Sequence, residues 1–511
     1  MKKNFLKYIF LGVVMSSTLI SCDLETSPTD AIESAKVFKT VEDNEKVLNG
    51  TWAKLMESFY TYANPGYGAF LRTSDAMGSD VVLNNRYGFG SHYAFNALYS
   101  KAGTNTFSWN LTYNVINNAN NVISHIDAAT GTQTLKDRVK GQALALRGFM
   151  YLHLASSYSF AINVTPDALV GPIYLEPTTI NTVPREAATT REVYQQSISD
   201  LEEALALIPD TYKRNLKHKF DRSVVLGLLS RANLYARDFE KAKKYSDELL
   251  AINGTLMNEE EYKSGFNDVS NIEWIWGHPQ LPDQSNASYN FNYLDTTSES
   301  SYYFSFNADP YFKDLFDDGD YRKSMIYWAP DPANNNPKEK DEAYMRYAKF
   351  KFKAGQIADI VLMRTSEIYL INAEAKAQLG DGDAIVKLND LKRARGAKEV
   401  TGLSGKALLD EIWLERRKEL FGEGFSLVDI VRNQQNVVRK AYPQDLVPYS
   451  FEKTDANGSI STVTVNLTPM GHRILNFPDK SDFAPNSKYY LYRIPNVEEI
   501  ENPNLFNKVS K

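Results

Sequence analysis

Ile371-Asn-Ala-Glu-Ala-Lys-Ala-Gln-Leu-Gly-Asp-Gly-Asp-Ala384 reads as one helix, a tight turn and the start of another. Small residues stand where two helices would cross, and Gly and Asp occupy the turn for the backbone reasons that favour them there. Apolar residues then resume at helical spacing through Ile385, Leu388 and Leu391. Ser230-Arg-Ala-Asn-Leu-Tyr-Ala-Arg-Asp-Phe-Glu-Lys-Ala242 follows the same plan, with a short polar turn and a second helix that opens with Ala.

Two such segments suggest tetratricopeptide-like helix hairpins, although two loose repeats do not make a regular solenoid. Outward from them, Leu111, Val115, Ala119, Val122 and Ile126 share one helical face, residues 142–158 form a second helix, and residues 189–208 a third. The third has Thr190 as its expected cap and Pro209 as its stop. Residues 261–360 are different: rich in Tyr, Trp, Asn, Asp and Pro, with little helical period. Strands are expected at Ile272-Glu-Trp-Ile-Trp276, at the alternating Lys349-Phe-Lys-Phe-Lys353, and at residues 461–468. The expected fold is mainly α: a scaffold of helix hairpins with long irregular loop insertions and a few short strands.

The chain has 511 residues, 43% apolar and 23% charged, with 12% aromatics including 31 Tyr. A formal charge of −6 gives no basic face for nucleic acid. Lys2, Lys3 and Lys7 precede an apolar run over residues 8–20, long enough for a signal peptide and too short to span a bilayer. That run ends in Leu19-Ile20-Ser21-Cys22, a lipobox-like sequence in which Cys22 is the expected lipidation site. Cys22 is also the only cysteine, so no internal disulfide can form. Residues 1–21 are therefore expected to be a signal peptide, and residues 23–30 a polar tether.

No catalytic pattern emerges. The six His show no metal-ligand pairing, and HExxH, CxxC, GxSxG and P-loop motifs are absent. Glu415, Arg416, Arg417 and Glu419 share one amphipathic helix and are expected to form structural ion pairs. Asp317-Asp-Gly-Asp320 and Asp381-Gly-Asp383 lack the order of a calcium loop and read as turns. No cofactor is expected. Ligand binding is better supported, because a sugar ring needs aromatic platforms with amide, carboxylate or guanidinium groups at their edges. Residues 84–93 supply Asn84, Asn85, Arg86, Tyr87, Phe89, His92 and Tyr93, and residues 289–304 supply Tyr289, Tyr293, Tyr302 and Tyr303. Trp276 and Trp328 are further candidates. Phe149, Tyr151, Tyr158 and Tyr369, on helical faces, are expected in the core.

Taken in order, several segments resemble the SusD/RagB family over nearly the whole mature chain. They are the Cys22 leader, Asn114-Val-Ile-Asn-Asn-Ala-Asn120, Gly141-Gln-Ala-Leu-Ala-Leu-Arg-Gly-Phe-Met-Tyr151, Gly171-Pro-Ile-Tyr-Leu-Glu-Pro177 and Thr190-Arg-Glu-Val-Tyr194. Arg364-Thr-Ser-Glu-Ile-Tyr-Leu-Ile-Asn-Ala-Glu-Ala375, Glu415-Arg-Arg-Lys-Glu-Leu420 with Asp429-Ile-Val-Arg432, and Leu491-Tyr-Arg-Ile-Pro495 complete the set. Ser426, Leu427 and the terminal Asn502-Pro-Asn-Leu-Phe-Asn507 depart from the family pattern, away from the expected ligand region. The resemblance implies residues 22–260 and 261–511 as two regions of one intertwined unit. It also implies an outer-membrane, lipid-anchored protein facing the cell exterior, which captures glycan for a SusC-type TonB-dependent transporter. It places platform residues in the loop before the Asn114 helix. Peptide capture of the RagB kind, a helical-repeat scaffold for outer-membrane assembly, and a lipid-anchored glycan hydrolase are the alternatives.

Overall fold

The computed structural model describes residues 37–61, 65–84, 88–281, 289, 291–299, 301 and 303–510. The expected leader, Cys22 and its tether, together with Asn85, Arg86, Tyr87 and Tyr302, lie outside the described residues.

The helices used below are α1 (Val41–Glu57), α2 (Gly66–Ala76), α3 (Thr104–His125), α4 (Gln133–Tyr158), α5 (Thr190–Leu207), α6 (Arg222–Tyr235) and α7 (Phe239–Ile252). After a long insertion come α8 (Thr365–Gln378), α9 (Ala384–Ala394), α10 (Gly405–Glu419) and α11 (Ser426–Arg432). From α3 to α9 each helix packs on the next, so the two hairpins, α6–α7 and α8–α9, sit side by side in one continuous array.

Local chemistry sets these elements. Asp238 caps α7 by accepting from the Lys241 amide at 3.1 Å. Asp381 accepts from the Asp383 amide at 3.0 Å, and Gly380 takes a left-handed φ of 73°, so both turns use their polar residues as turn residues. The cap of α5 is Thr189 rather than the expected Thr190. Thr189 accepts from the Glu192 amide, and the Glu192 carboxylate accepts from the Thr189 amide at 2.7 Å, a capping box that needs its Glu three residues on. Gly141 and Gly148 let α4 lie close on α5. A Cβ at Gly148 would stand 2.9 Å from the Ser197 carbonyl oxygen.

The insertion supplies five strands, β2 (Trp274–His278), β3 (Phe306–Ala308), β4 (Ile326–Ala329), β5 (Glu342–Tyr347) and β6 (Ile360–Arg364), after β1 (Val81–Leu83). A late hairpin adds β7 (Val447–Thr454) and β8 (Ile460–Met470). Strands β2 and β6 form an antiparallel pair, and the larger sheet runs β1-β3-β5-β8-β7 with β4 also paired to β5. Two expected strands fall at β2 and β8. The third, residues 349–353, is not a strand. Its amides bond to loops instead, Lys351 to the Gly265 carbonyl and Phe352 to Asp295. The alternation arises because Phe350 is buried and the Lys349 ammonium is itself drawn inside, bonded to the carbonyls of Glu419 and Phe421 and to Glu423.

One apolar core runs from Val41 to Tyr492 through both halves of the chain, with a smaller one where α8, α9 and α10 meet. Between them lies a buried ionic cluster. Glu419 accepts from Arg322, Arg364 and Arg395 at 2.5–2.8 Å, Arg364 also pairs with Glu273 and Glu423, and Glu415 pairs with Arg322. Burial opposes ionisation of Glu419, but the three guanidiniums outweigh it and hold its carboxyl well below the usual range. Arg416 pairs with Asp429 and Arg417 with Asp80, so the charged face of α10 is structural, as its sequence suggests. Among the described residues, no helix is long and apolar enough to cross a membrane.

Candidate functional site

The structure brings the two Tyr-rich loops together but buries most of their expected platforms. Asn84 donates its amide to the Ser305 carbonyl and its side chain to the Phe304 carbonyl, which ties the first loop to the second. Gly88, at φ 73°, lies directly beneath the Tyr293 hydroxyl, where a Cβ would collide. Phe89 meets Tyr293 edge-on at 4.9 Å, and Tyr293 stacks on Tyr303 at 4.9 Å and 17°. His92 sits 3.1 Å from the Thr104 hydroxyl, and burial pulls its pKa down to about 4. The Tyr93 ring lies under the Arg439 guanidinium at 4.1 Å, with its hydroxyl 2.7 Å from His472. Trp276 is wholly enclosed by Trp52, Phe149 and Phe220, and its indole donates to the His218 carbonyl at 2.9 Å.

Asn84, Phe89, His92, Tyr93, Trp276, Tyr293 and Tyr303, expected as exposed platforms, are buried in this structure. The physical reason is common to all: each packs against rings and side chains from distant parts of the chain, which cover its faces. Tyr289 is half-buried against Phe59 at 6.2 Å. Trp328 is half-buried as well, against Tyr442 at 5.5 Å and the small core of Ala343, Val465 and Leu467.

Beside these loops the structure opens a cleft of about 400 Å³. Its walls come from Thr296 and Thr297, from β4, from the turn at residues 330–337, and from β7. Tyr327 and Ala329 line it while Trp328 between them does not, as the alternation of a strand requires. Tyr327 is 41% exposed. Across from it, Tyr449 and Phe451 present half-open rings, 6.2 Å apart and only 19° from parallel. Arg346 is fixed at the cleft by bonds to the Asn307 side chain and the Pro330 carbonyl, both at 2.6 Å. The turn is stiffened by the Asn334 amide to the Asp331 carbonyl and by Asn334 to Asp341. Phe304 links cleft and loops, because Arg346 lies over its ring at 6.0 Å while its carbonyl holds Asn84.

Aromatic faces with amide and carboxylate groups at their edges match a ligand with C–H faces and a rim of hydroxyls. Among the described residues no three metal-ligating side chains converge. Sequence reasoning misses Tyr327, Tyr449 and Phe451. The alternation around Tyr327-Trp328 and in Val447-Pro-Tyr-Ser-Phe451 is the signal that could have found them.

Two family models match the chain in tandem: one described as "Starch-binding associating with outer membrane" over residues 30–234, and the SusD family model over residues 242–508. A solved SusD-like carbohydrate binding protein from Bacteroides vulgatus is 61% identical, with a TM-score of 0.87 over 92% of this chain and 98% of that one. Two SusD-like proteins of Formosa agariphila, P38 and P2, are 23% and 25% identical over 85% and 81% of this chain and 91% and 87% of their own lengths.

Proposed function

The chain belongs to the SusD/RagB family, and from that premise we propose that it is a cell-surface lipoprotein that captures oligosaccharide or polysaccharide and passes it to a SusC-type TonB-dependent transporter. Cys22 carries the lipid anchor, and binding is noncovalent, without turnover. The cleft of Tyr327, Tyr449 and Phe451 beside Asn334 and Asn335 carries this reading, because it offers stacking faces and hydrogen-bonding edges together, with the buried Arg346 bracing its floor through Asn307 and Pro330. The carbohydrate binding relative from B. vulgatus supports it, since 61% identity over nearly the whole chain extends well beyond the scaffold.

The test uses residues 23–511 in native affinity electrophoresis against laminarin, soluble starch, inulin and galactomannan, with a peptide panel alongside. One glycan class should retard the protein, and Tyr327→Ala should weaken that retention about tenfold without unfolding. Tyr327 is the informative position, since truncating the buried Tyr303 would open a cavity and confuse binding with stability. Retention of peptides and of no glycan would replace this reading with a RagB-like one.

A further inference from the structure

A second cleft, of about 600 Å³, opens between α3, the loop at residues 172–184, and the C-terminal helix Asn496–Glu501. Asn110, Asn114 and Asn117 line it from α3, spaced at i, i+4 and i+7 on one helical face. Asparagine is a poor residue in a helix interior, so each one there needs a reason. Asn117 has one, because it accepts from the Thr178 amide at 2.7 Å. Asn105 and Asn120, elsewhere on α3, also have theirs, tied to Leu98 and to Tyr174, Glu176 and Arg147. Asn110 is exposed and makes no side-chain hydrogen bond among the described residues, and Asn114 accepts only a long one, 3.4 Å, from Asn118. Their amides face open space beside Tyr113 and Tyr174, whose rings stand edge to face at 6.2 Å.

The charge of the cleft is one-sided. Glu498 and Glu501 line it with no Lys or Arg among the lining residues, Glu498 also accepting from the Trp109 indole and the Asn502 amide, while the Arg185 guanidinium stands over the Tyr174 ring at 5.9 Å. Exposed aliphatic residues, Ile180, Val183 and Ile500, sit on the elements that form its edge. A protein-docking surface has an apolar centre and a polar rim. Here amides, hydroxyls and carboxylates line the cleft itself, beside Tyr113 and Tyr174. We propose that this cleft is a second saccharide-binding site, specific for neutral sugars. Hydroxyls donate to Glu498 and Glu501 and accept from the amides of Asn110 and Asn114, while the carboxylates repel uronic acids. The proposal rests on the saccharide reading above for its ligand class but not on the Tyr327 cleft.

Asn110→Ala/Asn114→Ala is the decisive variant, because Ala is the better helix former and the change removes no packing partner. It is expected to fold with at least wild-type stability, so lost binding cannot be lost structure. Laminarin, soluble starch, inulin and galactomannan are the neutral probes and polygalacturonate the acidic one, all with residues 23–511 in affinity electrophoresis. In a Tyr327→Ala background, the retarding glycan should still bind weakly, and adding the Asn pair should abolish what remains. In the otherwise native chain the pair alone should reduce retention several-fold through lost avidity. Residual retention unaffected by the Asn pair would overturn the second site and leave the first standing. Preferential retention by polygalacturonate would overturn it too, as would a pair variant that binds glycan normally but no longer co-purifies with an outer-membrane transporter. Absence of retention by every neutral glycan would overturn both sites.

Discussion

At the level of single residues, Glu419 decides the most. It sits wholly buried among three guanidiniums, and each of these is itself out of water. Glu419→Gln keeps the shape and removes the charge, so Arg322, Arg364 and Arg395 would share a weaker acceptor and repel one another. Breaking a buried ionic cluster from one side costs about 3–5 kcal/mol. The urea midpoint of residues 23–511 should fall accordingly with an unchanged slope, and a loss below about 1 kcal/mol would mean that water already reaches the cluster. That Glu419 would be ion-paired is legible in Glu415-Arg-Arg-Lys-Glu419, but its actual partners, dispersed over residues 322–395, are not, because charge pairing follows distance in space. The same limit explains Trp276. Nothing in sequence separates a tryptophan buried by Trp52, Phe149 and Phe220 from one that waits for a sugar, since the difference lies in what the remote chain brings to its faces.

Helices that meet through small residues make a prediction of opposite sign to helix propensity. Gly148 lies inside α4, where Ala would favour the isolated helix by about 1 kcal/mol. In the folded protein the added methyl would stand 2.9 Å from the Ser197 carbonyl oxygen and 3.0 Å from Leu201 Cγ, so α5 would have to retreat. Overpacking of this kind costs about 1–3 kcal/mol. Gly148→Ala should therefore lower the thermal midpoint of the protein while raising the helicity of a peptide of residues 133–158. A rise in both would show that the α4–α5 contact has slack. The hairpins themselves are legible in the sequence because Asp238, Gly380 and Asp381 act on their own immediate backbone. The strand expected at residues 349–353 fails for the converse reason: period two can come from a Phe and a Lys that are both drawn inside, and Lys349 goes in because carbonyls of a distant turn receive its ammonium. Tyr327 and Trp328 differ by one position and take opposite sides of β4, so a site built from strand residues depends on parity that sequence alone leaves open.

Over the whole molecule, buried histidines should set the acid limb of stability. Burial lowers the pKa of His92 and His218 from 6.5 to about 4, and of His153 and His472 to about 3. Between pH 4 and 6.5 the unfolded chain then binds up to four protons that the folded chain refuses, so stability is present above 6.5 and is lost as the pH falls through that window. Three carboxyls oppose this, and Asp200, pushed up by burial despite Arg147, is one of them. Burial raises Asp75 to about 7 despite Arg72, and raises Asp309 to about 7 with help from Asp80. Each favours the folded state at low pH and loses that contribution as the pH rises toward 7. Four protons against three leave a net slope with the sign of the histidines, at about 1.4 kcal/mol per pH unit for each uncompensated proton. Below 4.5 a second limb should begin, as carboxyls held low by their partners, such as Glu415 at about 2, come under acid. Urea midpoints between pH 7 and 3 would resolve the two limbs. His153→Phe, which keeps a ring against Phe70, should flatten the first limb, whereas Asp309→Asn should steepen it. Glu415→Gln should leave the first limb alone and change only the second. A first limb that His153→Phe does not flatten would mean that the ring is protonated or hydrated in the folded state, with water reaching it from the cavity that it lines with Phe70, Phe149 and Tyr492.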